Sequence, residues 1–137
     1  MKIIKNLEEL KHSEVSYLFK ELLESEKEYE EALLKTKENP ETFFMEYLGG
    51  YIHILSSLDE VSKIDTGLYN DVEDRFFNLS ELSDSFDICR WTEDRQFLEI
   101  MMVTSNSGGS IYFIPKQLAL QHTYLMESLN KSFDNSL

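Results

Sequence analysis

Few side chains in this sequence are suited to covalent or acid–base chemistry, and they are scattered. His12, His53 and His122 are the only histidines and Cys89 the only cysteine. The histidines fall on three different expected helices, none beside a second ligand or a nucleophile motif, so a metal or acid–base site would need the fold to gather them. His53 borders an apolar stripe, the setting of a core histidine with its hydrogen bonds satisfied. Cys89 sits in an expected strand and reads as a small buried residue, without a cysteine-enzyme signature around it. Ser105, Ser107 and Ser110 lack the Gly-x-Ser-x-Gly context of a nucleophile elbow. Asn106-Ser107-Gly108-Gly109-Ser110 is the one glycine-rich stretch, but neither a lysine nor an expected helix start follows it as in a phosphate loop. It reads as a hairpin turn whose glycines supply positive φ. No catalytic residue, metal ligand or cofactor is expected from these patterns. An enzyme or small-ligand binder would need a pocket between sheet and helices in which His53 or His122 meets a carboxylate.

Carboxylates are the abundant resource. The net charge is −13, and it is unevenly spread. Residues 1–64 hold 14 Asp/Glu against 8 Lys/Arg, residues 65–99 hold 10 against 3, and the last 38 residues hold two of each. A field of that sign repels phosphate backbones and anionic headgroups and attracts basic surfaces, so direct nucleic-acid and membrane binding are not expected. Glu14, Glu21, Glu24, Glu28, Glu31 and Glu38 recur at three, four and seven residues opposite the apolar side of an expected helix. Such a row could imitate a phosphate backbone. A solvated helix face, interrupted by Lys20, Lys27 and Lys35 and supported by a Glu31–Lys35 pair, is the plainer account. A denser cluster follows at Asp65, Asp71, Glu73, Asp74, Glu81, Asp84 and Asp87, opposed by Arg75. It lacks the ligand spacing of a calcium loop, and reads better as a patch that steers a basic partner, with Tyr69, Phe76 and Phe77 nearby. Trp91, the only tryptophan, is either an interface anchor with an acidic rim at Glu93 and Asp94 or a cap on the core. Arg75, Arg90 and Arg95 lie beside the acids, where local charge pairing is their expected use.

The elements that must position these groups are legible as periodicities. Val15, Leu18, Phe19, Leu22, Tyr29 and Leu33 share one side of a helix expected over about Leu7 to Lys37, begun by an Asn6/Glu9 capping box, with a possible restart at Ser13. Asn39-Pro40 starts a second helix, whose stripe of Phe44, Tyr47, Leu48, Tyr51, Leu55 and Leu58 runs through Gly49-Gly50. Residues 6–64 thus form an expected helical hairpin. A short third helix with Leu68, Val72, Phe76 and Leu79 follows in the acidic segment 65–85. Strands over Phe86–Thr92, Gln96–Thr104 and Ser110–Ile114 make a three-stranded antiparallel meander over 86–114. A closing helix over 115–132 carries Leu118, Leu120, Tyr124, Leu125 and Leu129.

The expectation is a single α+β domain, residues 1–137, with helices packed on one small sheet. Hydrophobic residues at 42% and aromatics at 12% supply a core, so the acidity is not that of a disordered polyanion. With no signal-like or membrane-spanning apolar run and one lone cysteine, the reading is a soluble cytoplasmic protein. Its expected role is that of a non-enzymatic acidic module that occludes a basic or nucleic-acid-handling protein, as inhibitors and immunity proteins do. A self-associating component, paired through the edge of the last strand near Ile111, Tyr112 and Phe113, is the structural alternative.

Overall fold

In the computed structural model, which describes residues 1–57, 59–60, 69–76, 88–104 and 108–121, the chain opens on a strand rather than a helix. β1 (Lys2–Ile4) leads into α1 (Leu7–Lys11). The capping box at its start forms as the sequence implies: the Glu9 amide donates to Asn6 Oδ1 at 2.8 Å and Asn6 Nδ2 donates to Glu9 Oε1 at 2.8 Å.

The helix expected to run to Lys37 is broken twice. Ser13 turns the chain after α1, its hydroxyl donating to the Leu10 carbonyl at 2.8 Å and accepting from the Val15 amide at 3.3 Å. A local bond of this kind competes with helix continuation. A 3₁₀ turn (Ser16–Phe19) follows, then α2 (Lys20–Glu24) and α3 (Glu26–Thr36). The α2–α3 junction at Ser25 is only a kink, because Ser25 N donates to Glu21 O and Tyr29 N to Ser25 O, the i→i−4 pattern of a helix. α3 ends at Lys37 in the left-handed region, φ 59°. The apolar wedge survives both breaks. Val15 and Tyr29 are buried, and Leu18, Phe19, Leu22 and Leu33 pack against the same core.

Asn39 caps α4 (Pro40–Leu48), accepting from the Glu41 amide at 2.9 Å. The expected continuation of this helix through the glycines does not occur. Gly49 adopts φ 87° and closes the helix, and Gly50 begins strand β2 (Gly50–Ile54). Glycine at that position does what it does at helix ends generally. The next residues, Tyr51-Ile52-His53-Ile54, alternate half-buried and buried as a strand does. The 6–64 segment is therefore not a helical hairpin, since it contributes a strand to the sheet.

The third helix is replaced over its described part by a ribbon, β3 (Tyr69–Asn70) paired antiparallel with β4 (Arg75–Phe76). Asn70 Oδ1 accepts from the Val72 and Glu73 amides at 3.0 and 3.2 Å, and Asp74 takes φ 54°. The side-chain acceptor makes an Asx turn, which outcompetes one turn of helix.

β5 (Ile88–Trp91), β6 (Phe97–Thr104) and β7 (Gly108–Pro115) run antiparallel in succession, and α5 (Lys116–Ala119) follows directly. The sheet is larger than a three-stranded meander. Five strands lie in the order β1, β2, β7, β6, β5, with β2 and β7 parallel and all other neighbours antiparallel. Gly108 and Gly109, expected in a turn, belong to β7, where Gly109 stands opposite Val103 on one side and Gly50 on the other. The last strand is thus interior to the sheet, with hydrogen-bonded neighbours on both sides, and offers no free edge to a second copy. The remainder of the expected third helix, residues 105–107 and the expected closing helix beyond 121 lie outside the described residues.

The register sorts the sheet into two faces. Ile4, Ile52 and Ile111 face the helical layer, with Ile54, Phe97 and Phe113 beside them. Leu7, Leu10, Phe43 and Phe44 cover them from the helices. On the other face Ile3, His53, Tyr112, Ile100 and Cys89 stand in one row across all five strands. Leu98, Ile114, Leu55 and Ala119 extend that second core. Each fully buried side chain of this kind stabilises the fold by roughly 1.5–3 kcal/mol. The molecule is α+β, as expected. Among the described residues no helix is long and apolar enough to cross a membrane.

Candidate partner-binding face and sheet-end clefts

The acidic row expected on one helix is divided by the fold. Glu21 and Glu24 lie on α2 and Glu28 and Glu31 on α3, all exposed and all spaced by three or four residues across the kink at Ser25. Tyr29 and Leu33 hold the opposite side of α3 against the core, so these four carboxylates face solvent together. Glu14 is separated from them by the 3₁₀ turn and overhangs the end of the sheet instead.

Beyond the left-handed Lys37, the chain brings Glu38 back onto α4. There its carboxyl meets that of Glu46, and this hydrogen bond, followed by a small desolvation and the charge of Glu46, holds the Glu38 carboxyl above its ordinary range. Two acids forced together at the surface mark a place where a cation relieves a repulsion. Tyr47 beside them is 54% exposed, although its ring packs edge-on to Tyr29 at 5.1 Å. Phe43 completes that aromatic group. The helical layer from residue 20 to 46 carries nine acids and four lysines.

Of the second cluster, Asp71, Glu73 and Asp74 are exposed on the β3–β4 turn, and Glu73 pairs with Arg75. Asp65, Glu81, Asp84 and Asp87 lie outside the described residues, as does His122. Among the described residues no group of three or more His, Cys, Asp or Glu is arranged to hold a metal.

Trp91 is half-buried and packs with Cys89, Leu98 and Ile114 on the second core, while also lining a cleft. Arg90, on the opposite face of the same strand, donates from Nε to Glu99 Oε2 at 3.3 Å. The expected local pairing thus holds for Arg75 and Arg90.

Among the described residues, clefts open where β2, β5 and β7 end and β1 and β6 begin. The first, about 410 Å³, lies between the 3₁₀ turn and the β5–β6 pair and is lined by Leu18, Phe19, Arg90, Trp91, Glu99 and Phe113 with the start of the next turn. The second, about 520 Å³, includes Glu14, Tyr17, Asp94 and Lys116. The third, about 540 Å³, includes Lys2, Glu14, Ser56 and Leu118. Tyr17 bridges the helical layer to the sheet by donating its hydroxyl proton to Asp94 Oδ2 at 2.5 Å. Desolvation and that bond push the Tyr17 phenol up to about 12. The Tyr17 and Thr92 hydroxyls hold the Asp94 carboxyl below its usual range. Sequence reasoning missed this clasp because its two residues are 77 positions apart.

Of the histidines, His12 and His53 lie on separate elements, and His122 is outside the described residues. His53 lies on strand β2, not on a helix, and among the described residues neither of its ring nitrogens has a hydrogen-bond partner. The satisfied core histidine is thus not what the fold makes of it. His12 closes α1 and meets Glu8 at 3.0 Å in an exposed pair. Cys89 is buried, as expected, and burial pushes its thiol up to about 11. No family model matches this chain, and no curated protein or solved structure matches it either.

Proposed function

We propose that this protein is a non-enzymatic binding module whose acidic helical face docks on a basic, nucleic-acid-handling protein and occludes it. The observation that supports this reading is the exposed carboxylate face of α2 to α4, where Glu21, Glu24, Glu28 and Glu31 point to solvent and the Glu38 and Glu46 carboxyls are in contact. A one-sided field of this sign speeds and orients encounter with a basic partner. The half-exposed Tyr47 supplies an apolar anchor next to the acids. Glu14 belongs to the sheet-end clefts in this reading, and the β3–β4 turn with Asp71, Glu73 and Asp74 is a second, smaller acidic projection.

The kink at Ser25 and the detachment of Glu14 shorten the row that would stand in for a phosphate backbone to the stretch from Glu21 to Glu31. Recognition by charge and shape of a basic protein surface therefore fits better than a long imitation of nucleic acid. The test is capture of a stoichiometric basic partner at about 0.1 M and again near 0.5 M salt, because exposed charges are screened at the higher value. The variant carrying E21K, E24K, E28K and E31K is run beside the unaltered protein. Salt-released capture that disappears in the variant supports the reading. Equal capture by both proteins overturns it.

A further inference from the structure

We infer that the cleft between the 3₁₀ turn and strands β5 and β6 is a socket for an arginine side chain of the protein partner, with Glu99 as its acceptor and Arg90 as the built-in occupant that the incoming arginine displaces. The inference rests on the reading of the molecule as a receiver of basic proteins and names the contact that would anchor one.

Glu99 and Arg90 stand opposite each other in the β5–β6 register, and Phe113 stands opposite Glu99 in the β6–β7 register. The three therefore share the face toward the helical layer. The Glu99 side chain is 20% exposed and that of Arg90 is 65% exposed, so the carboxylate is sunk and its guanidinium stands outside. Their contact is a single Nε–Oε2 bond of 3.3 Å. A guanidinium matched to a carboxylate makes two parallel bonds near 2.8 Å, so this pair is a poor use of both groups. Among the described residues Arg90 is the one donor to Glu99.

The walls suit the remainder of an arginine. Phe19 and Phe113 meet edge to face with ring centroids 6.0 Å apart, and Leu18 lies beside them on the floor. An arginine stem packs on such apolar surface while its planar head stacks or reaches an acid, which a lysine does less well. The rim adds the exposed Glu93. The local balance is two carboxylates to one guanidinium, which disfavours an anionic ligand and leaves room for one more cation.

The Trp91 ring lies on the other face of β5, so occupancy is read from the backbone amide shifts of Arg90, Glu93 and Glu99, which line the cleft. The experiment titrates the full chain with N-acetyl-arginine amide, with the lysine analogue, and with the citrulline analogue, which keeps the planar shape without the charge. Saturable change with arginine, weaker change with lysine and none with citrulline is expected. Glu99→Gln should abolish the arginine response. Arg90→Ala should tighten it about two- to fivefold, the size expected when an exposed competing ion pair is removed. Lys35→Ala, the same change of charge far from the cleft, should leave it unaltered. Tightening cannot arise from misfolding, so the Arg90 variant keeps the test decisive if Glu99→Gln folds poorly. Citrulline binding as well as arginine, an Arg90 variant that binds no tighter, or no saturable response at all overturns the socket. Each of these outcomes is read on the cleft alone, so the socket can fail while the helical face still binds its partner, and the reverse.

Discussion

His53 and Tyr112 stand opposite each other in the parallel pairing of β2 with β7, their ring centroids 4.8 Å apart, and neither nitrogen of His53 has a hydrogen-bond partner among the described residues. Burial first, and the charge of Lys5 second, push the imidazole down to about 4 from an ordinary 6.5. The unfolded chain therefore binds a proton that the folded one refuses. The stability from keeping His53 neutral is complete above about pH 7 and is lost as pH falls from 6.5 toward 4, on the order of 3 kcal/mol across that window. Urea unfolding at pH 7.5, 6, 5 and 4.5 should show this slope. His53→Phe, which keeps a ring against Tyr112, should flatten it. Carboxyls held low in the folded state, such as Glu60 and Asp94, lose their contribution only at lower pH, so the two effects separate.

Gly49 should resist replacement for a different reason. It closes α4 with φ 87°, and a Cβ built there would lie 3.2 Å from Met101 Cε. The methionine tip can move aside, but the left-handed backbone cannot be relieved. Gly49→Ala should cost about 1–2 kcal/mol in chemical denaturation. Met101→Ala in the same chain should fail to recover the loss, because the strain is in the backbone.

The contrast between Gly49 and its neighbours also shows what was legible before folding. Caps are local, so Asn6 with Glu9 and Asn39 with Pro40 marked two helix starts correctly. The wedge from Val15 to Leu33 was legible as a buried face even though the helix carrying it is broken at Ser13 and kinked at Ser25, because the kink preserves the turn-to-turn phase. β2 was hidden because Phe44, Leu48, Tyr51 and Leu55 keep the helical interval of three or four residues across the glycines, and only the left-handed closure at Gly49 breaks it. β1 is three residues long, too short to show any period. The parallel pairing of β2 with β7 joins segments more than fifty residues apart and has no local signature. The same holds for the sheet-end clefts and the Tyr17–Asp94 clasp, whereas the opposition of Arg90 to Glu99 follows once the turn after Trp91 sets the register.

Cys89 tests that register from the other face. It is 7% exposed, in line with Ile100, Tyr112 and His53, and its thiol is pushed up to about 11 by burial. The thiolate that alkylating and disulfide reagents require is scarce and covered at pH 8. Labelling of the folded protein by iodoacetamide at pH 8 should be slower than that of the unfolded chain by at least about tenfold, and should speed up in step with urea unfolding. Rapid labelling in the native state would mean that β5 opens on its own and that the Arg90–Glu99 pair on its reverse side is not held in place.

The Glu38–Glu46 contact sets the last expectation, since it ties stability to the binding face. Glu38 is held above its ordinary value chiefly by the hydrogen bond with Glu46, so the folded state keeps a proton that the unfolded chain has released. That contribution is present below the ordinary carboxyl value of 4.5 and is lost as pH rises through the elevated one, leaving a bare repulsion at neutral pH. Glu46→Gln should therefore raise the melting temperature slightly at pH 7 and lose that advantage near pH 4. The effect is small because both groups are exposed and screened by salt. A basic partner relieves the same repulsion by another route. At a pH between the ordinary carboxyl value of 4.5 and the raised folded one, docking of a cationic surface on this face should expel the proton, and calorimetry in buffers of different ionisation heat should detect its release. Docking without proton release at that pH would place the partner away from the α3–α4 connection and leave Glu21 to Glu31 as the binding row.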